Sequence, residues 1–159
     1  MKIIGKTKFL MGTVFGLGII VFLLSVIALP MLAKEVALTY PEYAYLKYPV
    51  LIGLYLTTIP FYFALYQAIK LLKLIENNNP FSEQAVNALR KIKYCAAAIG
   101  VMYIFGMIFL GTQNALHPSI FILGFVILFS CIVISVFTAV LQELLDHAIK
   151  IKTENELTI

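Results

Sequence analysis

The stretch from Tyr94 to Gln142, YCAAAIGVMYIFGMIFLGTQNALHPSIFILGFVILFSCIVISVFTAVLQ, is 49 consecutive residues without one Lys, Arg, Asp or Glu. A helix rises about 1.5 Å per residue, so crossing a hydrocarbon core of about 30 Å takes about 20 residues. The stretch is therefore long enough for two crossings and a tight connection, and its turn signal, His117-Pro118, falls where the connection is needed. Working outward, 22 uncharged residues separate Lys47 from Lys70, and 25 separate Lys8 from Lys34, which is one crossing each. The whole chain of 159 residues is 62% apolar and 13% charged. A soluble domain carries roughly 45–50% and about 25%, so this inventory cannot clothe a soluble surface, and it is too apolar for disorder.

The fold class is all-α integral membrane: one domain of four transmembrane helices, at about 9–32, 50–75, 94–111 and 120–142, in an antiparallel bundle. The first span follows Lys2, Lys6 and Lys8. A secretory signal starts in the same way, but its apolar region is about 7–15 residues long, and Ala28-Leu29-Pro30 makes a poor cleavage site, so the helix is read as retained. From Ala33 to Pro49 the chain is Tyr-rich (Tyr40, Tyr43, Tyr45, Tyr48), with Pro41 and Pro49 disfavouring helix at the residues before them. This predicts a surface loop with its tyrosines at the outer interface.

The second span outruns the bilayer, since its helical pattern continues through Lys70 and Lys73 to Glu76. Asn77-Asn78-Asn79-Pro80-Phe81-Ser82 breaks it; Ser82 is placed to cap the next helix, with Glu83 against its positive end. From Glu83 to Lys93 the sequence is amphipathic. Val86, Leu89 and Lys93 share a face with Ala85 and Ile92 near it, Arg90 and Lys91 point elsewhere, and the segment runs on into the third span. The fourth span also extends, through Glu143, Asp146, His147 and Lys150, with i,i+4 pairs Glu143–His147 and Asp146–Lys150. A frayed end is expected from Thr153 to Ile159.

Ten of the twelve Lys and Arg residues fall on one side of these spans: three at the start, five from Lys70 to Lys93, two in the tail. Only Lys34 and Lys47 fall on the other. The positive-inside rule then places both termini, the hairpin 70–93 and the tail 143–159 in the cytoplasm. The net charge of +4 is a topology signal, and no basic tract beyond it points to nucleic acid.

No Lys, Arg, Asp, Glu or His lies within the bilayer-crossing part of a span, Lys70 and Lys73 falling where the second helix outruns it, which argues against an intramembrane enzyme or an ion-coupled transporter. Neither a metal-ligand cluster, a phosphate loop nor a nucleophile motif is found, so no catalytic, cofactor or metal residue is assigned. Ser and Thr in membrane helices ordinarily bond their own backbone; the functional alternative is a polar path lined by Thr57, Thr58 and Gln67 around a kink at Pro60. Cys95 and Cys131 are predicted to be free, buried thiols at different depths, and His117 and His147 to be solvated. Gly12 with Gly16, and Ala96 with Gly100, are small-xxx-small pairs that let helices approach closely, expected within one chain rather than between copies. The most distinctive surface is the cytoplasmic end, where Lys70, Lys73, Arg90, Lys91, Lys93, Glu143 and Asp146 gather. Opposite charges on neighbouring extensions are placed to pair there, at about 0–1 kcal/mol each.

The run Phe61-Tyr62-Phe63-Ala64-Leu65-Tyr66-Gln67, then Leu71-Leu72-Lys73-Leu74-Ile75, Asn79-Pro80-Phe81-Ser82 and Leu89-Arg90-Lys91-Ile92-Lys93-Tyr94, with the tail Ile151-Lys152-Thr153-Glu154-Asn155-Glu156-Leu157, resembles the YoaS-like family of small bacterial membrane proteins, a domain of unknown function. The resemblance implies a four-helix protein of the bacterial cytoplasmic membrane, often encoded beside a small helix-turn-helix regulator of the Cro type, and it brings no catalytic residue. The functional expectation is a non-enzymatic sensor or anchor that engages a cytosolic partner, such as that regulator, through the hairpin and tail. The alternative is a small transporter or channel component that works as an oligomer, although nothing in the sequence indicates oligomers.

Overall fold

The computed structural model describes residues 2–77 and 80–158, with side chains described from Gly5 to Leu157. Asn78 and Asn79 of the expected turn, the side chain of Lys2, and Ile159 lie outside the described residues. The elements are α1 (Lys2–Leu23), one π-helical segment (Leu24–Ala28), α2 (Leu29–Thr39), a 3-10 segment (Pro41–Leu46), α3 (Lys47–Glu76), α4 (Glu83–Thr112) and α5 (Pro118–Thr158). Among the described residues, four stretches are long and apolar enough to cross a membrane: Gly5–Thr39, Pro41–Glu76, Glu83–Thr112 and Pro118–Leu157.

The expected loop from Ala33 to Pro49 is instead almost wholly helical. Pro49 stands in the first turn of α3, where a helix needs no N–H from it, and Pro41 opens the 3-10 segment. Only Tyr40 leaves helical geometry, at φ −124° and ψ 77°, because Pro41 crowds the residue before it. The expected fraying from Thr153 is also replaced by helix, which continues to Thr158. Within it the Thr153 hydroxyl donates to the Ile149 carbonyl at 2.9 Å. At 41 residues α5 is about 60 Å long, twice the hydrocarbon thickness.

Pro30 leaves its mark one turn earlier. In the π-helical segment the Leu29 N–H reaches back to the Leu24 carbonyl instead of to Ser25. The next residue able to serve Ser25 in that pattern is Pro30, which has no N–H. The Ser25 carbonyl is thus left without a backbone donor, and the Tyr55 hydroxyl on α3 supplies one at 2.7 Å. A second phenol, Tyr62, donates to the Gly18 carbonyl at 2.8 Å. Gly18 faces α3 closely: a Cβ there would stand 3.4 Å from Leu65 Cδ1 and 3.7 Å from Tyr62 Cε1.

The helices pack as a row in the order α1, α3, α4, α5, and no substantial contact closes α1 onto α5 among the described residues. The expected bundle is therefore open. The α1 seam against its neighbour is Thr7, Met11, Val14, Gly18, Val21 and Ser25, all buried or half-buried at alternating spacings of four and three. The deepest packing belongs to α4, where Ala85, Val86, Ala88, Leu89, Cys95, Ala96 and Gly100 are buried. Val86 and Leu89 share the predicted face, while Arg90 and Lys91 are exposed. Ser82 caps α4 as expected, its hydroxyl accepting the Ala85 N–H at 3.3 Å, and Glu83 lies in the first turn.

Candidate functional site

The charged surface is built by three helix ends. α3 brings Lys70 and Lys73, both exposed; α4 brings exposed Arg90 and Lys91; α5 brings exposed Glu143 and Asp146. The Arg90 guanidinium donates to Asn87 Oδ1 at 3.3 Å, one turn back on its own helix. Lys93 is half-buried, with Nζ 3.2 Å from Gln142 Oε1 on α5 and 5.0 Å from the Tyr94 ring centre. The expected pairing of opposite charges on neighbouring extensions does not form: α4, with Arg90, Lys91 and Lys93, stands between α3 and α5, but among the described residues no ion pair joins these basic residues to Glu143 or Asp146. The link across this end is the neutral acceptor Gln142, which sequence reasoning passed over. Gln142 shares the α4-facing seam of α5 with buried Cys131 and Thr138, and that spacing was readable.

Beside the charges lies an apolar feature that the sequence reading did not single out. Phe81, from the hairpin turn, is 49% exposed and Ile151 on α5 is 60% exposed. With Ala148, Lys152, Asn155 and Glu156 they line an open groove of about 450 Å³. The groove joins the hairpin turn to the far part of α5, more than two turns beyond Gln142.

The polar path does not assemble. The Thr57 and Thr58 hydroxyls donate to the carbonyls of Leu54 and Tyr55 at 2.6 Å and 2.5 Å, within their own helix. Gln67 stands nine residues further along α3, about 13 Å away. It is only 2% exposed, and its Oε1 has no partner. Pro60 lies inside α3, which continues on both sides of it.

The two small-residue pairs behave differently. A Cβ on Gly100 would stand 3.5 Å from Cys131 Cβ and from Leu128 Cδ1, so Ala96 and Gly100 do serve the α4–α5 contact. Gly12 and Gly16 do not serve a contact within the chain, since a Cβ on either meets nothing within 4 Å. The glycine that admits α3 is Gly18, two residues on and therefore on the opposite side of the helix. Cys95 and Cys131 are free and buried, as expected.

At the other end of the row, two of the tyrosines expected at the lipid interface hold protein. Tyr43 donates to the Asn114 carbonyl at 2.9 Å and Tyr45 to Gln113 Oε1 at 2.8 Å, fastening the 3-10 segment to the α4–α5 turn. Asn114 has φ 56°, a left-handed geometry that Asn tolerates better than most residues. His117 is exposed and bonds locally, Nδ1 accepting the Ser119 N–H at 3.2 Å.

Residues 31–159 match the family model described as "Protein of unknown function (DUF2975)". The chain belongs to this family. Over 156 residues it is 47% identical to the "Uncharacterized membrane protein YoaS" of Bacillus subtilis (strain 168), covering 97% of this chain and 98% of the relative. No solved structure matches. The resemblance read from the hairpin and tail thus holds over nearly the full length, and this member of the DUF2975 family is a membrane protein with four apolar helices.

Proposed function

We propose that this protein is a non-enzymatic component of the bacterial cytoplasmic membrane, with both termini and the hairpin 70–93 in the cytoplasm, where its helical extensions engage a cytosolic protein. Successive spans alternate in direction in this reading. Two facts support that alternation: Lys93 meets Gln142 at one end of α4 while Gly100 meets Cys131 further along it, and Phe81 faces Ile151. The ten-to-two division of basic residues supports the orientation.

The observation that carries the binding role is where the packing is tightest. A protein selected only to cross the bilayer would end its helices at the interface. Here the tightest run of side chains, Ala85 to Leu89, lies in the first turns of α4, before the apolar span begins. That burial holds a helical platform outside the bilayer, which carries exposed Arg90 and Lys91 and begins beside the Phe81–Ile151 groove. An aromatic and an aliphatic side chain rimmed by charge form the usual composition of an interface anchor.

The test is capture of the partner from native membranes in mild detergent, comparing the parent with Arg90→Glu/Lys91→Glu and with Ile151→Asp. The partner is expected to be lost from both variants; unchanged recovery from both sinks the reading. Topology reporters at the 3-10 segment and at the end of α5 check the orientation separately, and signals from the same side would overturn it.

A further inference from the structure

α1 and α5 are the edges of the row, and each turns a long face away from the protein. On α1, the side opposite the Thr7–Ser25 seam carries Gly5, Gly12 and Gly16, and a Cβ on any of them would meet nothing within 4 Å. Phe9, 75% exposed, stands on this face between Gly5 and Gly12, and beyond it Gly12 and Gly16 leave a shallow trough that no described side chain enters. On α5, the side opposite the Cys131 seam is a ridge of large apolar side chains, including Phe129, Val133, Phe137 (63% exposed), Val140 and Leu144.

Trough and ridge sit at the same level when measured from the nearest charge. The centre of the Gly12–Gly16 pair is six residues, about 9 Å, inside Lys8; Phe137 is six residues, about 9 Å, inside Glu143. Lys8 is the last charge before the first apolar stretch and Glu143 the first after the last, and both are exposed. They have opposite sign. Lys6 and Lys8 make the α1 edge basic, while Glu143 and Asp146 make the adjoining stretch of α5 acidic.

We propose that the chain self-associates edge to edge in the membrane: the Phe137 ridge of α5 seats in the Gly12–Gly16 trough of α1 of a second copy, with Glu143 opposite Lys8 across the interface. Small residues on one helix and bulky ones on the other let the backbones approach, which is the main source of attraction between helices already in lipid. A lipid is the competing occupant, and charge decides between them. An anionic headgroup satisfies Lys8 but is repelled by Glu143 and Asp146, whereas a second copy satisfies both edges at once. The inference rests on the alternating spans proposed above, which bring Lys8 and Glu143 to one side. It is independent of any cytosolic partner and of which side faces the cytoplasm.

The test uses the full chain in native membranes, with Cys95→Ala and Cys131→Ala as background; alanine at 131 keeps the Cβ on which Gly100 packs. Copies carrying Gly12→Cys are mixed with copies carrying Phe137→Cys and oxidised, a bond that requires Cα atoms within about 7 Å. A covalent dimer is expected from the mixture and from neither variant alone. Lys8→Glu in the first copy should lower its yield several-fold, and Glu143→Lys in the second should restore it. Gly12→Ile, which meets nothing in its own chain, should leave a folded protein that counts as single copies by photobleaching in dilute vesicles, where the parent counts as two or more. A monomeric parent, a dimer from Gly12→Cys alone, a mixture without cross-link, or failure of the charge exchange to restore it would overturn the proposal.

Discussion

Tyr55 and Tyr62 donate to carbonyls of the same N-terminal helical stretch at 2.7 Å and 2.8 Å, yet removing their hydroxyls should have different consequences. Gly18 lies in regular α-helix, so its carbonyl already accepts the N–H four residues on, and the Tyr62 bond is its second. Losing a second acceptor contact costs what interhelical side-chain bonds in membranes cost, about 0.6 kcal/mol. Ser25 has no such reserve, because Leu29 is drawn to Leu24 and Pro30 has no N–H. Tyr55→Phe leaves a carbonyl unpaired in apolar surroundings, a loss of about 1–3 kcal/mol. The expected gap between Tyr55→Phe and Tyr62→Phe is about 1 kcal/mol, roughly five-fold in the unfolding equilibrium. Reversible unfolding in bicelles by steric trapping measures it. The explanation also requires that Pro30→Ala, by restoring an N–H at position 30, shrink the Tyr55→Phe penalty. Equal losses for the two tyrosines, or a penalty indifferent to Pro30→Ala, would refute the reasoning.

Gln67→Leu should be neutral or stabilising by up to about 1 kcal/mol in the same unfolding assay, since it deletes a buried oxygen that has no partner; a marked loss of stability would mean that the amide is used. Ser82→Ala should destabilise by about 1 kcal/mol through loss of the α4 cap, with amide exchange faster in the first turn. Gly100→Ala should be tolerated, because its Cβ would rest at ordinary contact distance, whereas Gly100→Leu should cost about 1–3 kcal/mol by wedging α4 from α5. Tyr43→Phe with Tyr45→Phe should raise the labelling rate of an Asn114→Cys reporter by an impermeant thiol reagent, and an unchanged rate would deny that these hydroxyls hold the turn.

Much of this architecture was written in the positions of the charges. Their absence from Tyr94 to Gln142 required two helices and a connection, and the turn stands at residues 113–117. Ser82 and Glu83 marked the start of α4, and the Val86–Leu89 face was correct because an amphipathic period reports burial directly. The stretch from Ala33 to Pro49 misled because tyrosine and proline suggest a loop, although proline is harmless in a helix's first turn, where Pro49 sits, and Pro41 displaces only Tyr40 from helical geometry. Gly12 and Gly16 misled for another reason: the spacing shows that a face is narrow but not what it faces, and the seam went to Gly18 instead. The charges at the helix extensions misled in a third way: opposite signs on neighbouring helices show that pairing is possible, but the contact across α4 and α5 went to the neutral Gln142.

The sequence by itself determined that four apolar helices exist, where their charges stop and start, and which family they belong to, because crossing a bilayer constrains length and polarity residue by residue. Only the tertiary structure decided that the helices stand in an open row, that phenols on α3 serve carbonyls of the N-terminal helix, and that Tyr43 and Tyr45 hold the far turn. Those features depend on which helix faces which. In lipid that choice is set by close packing and single hydrogen bonds, and the hydrophobic pattern of the chain does not record it.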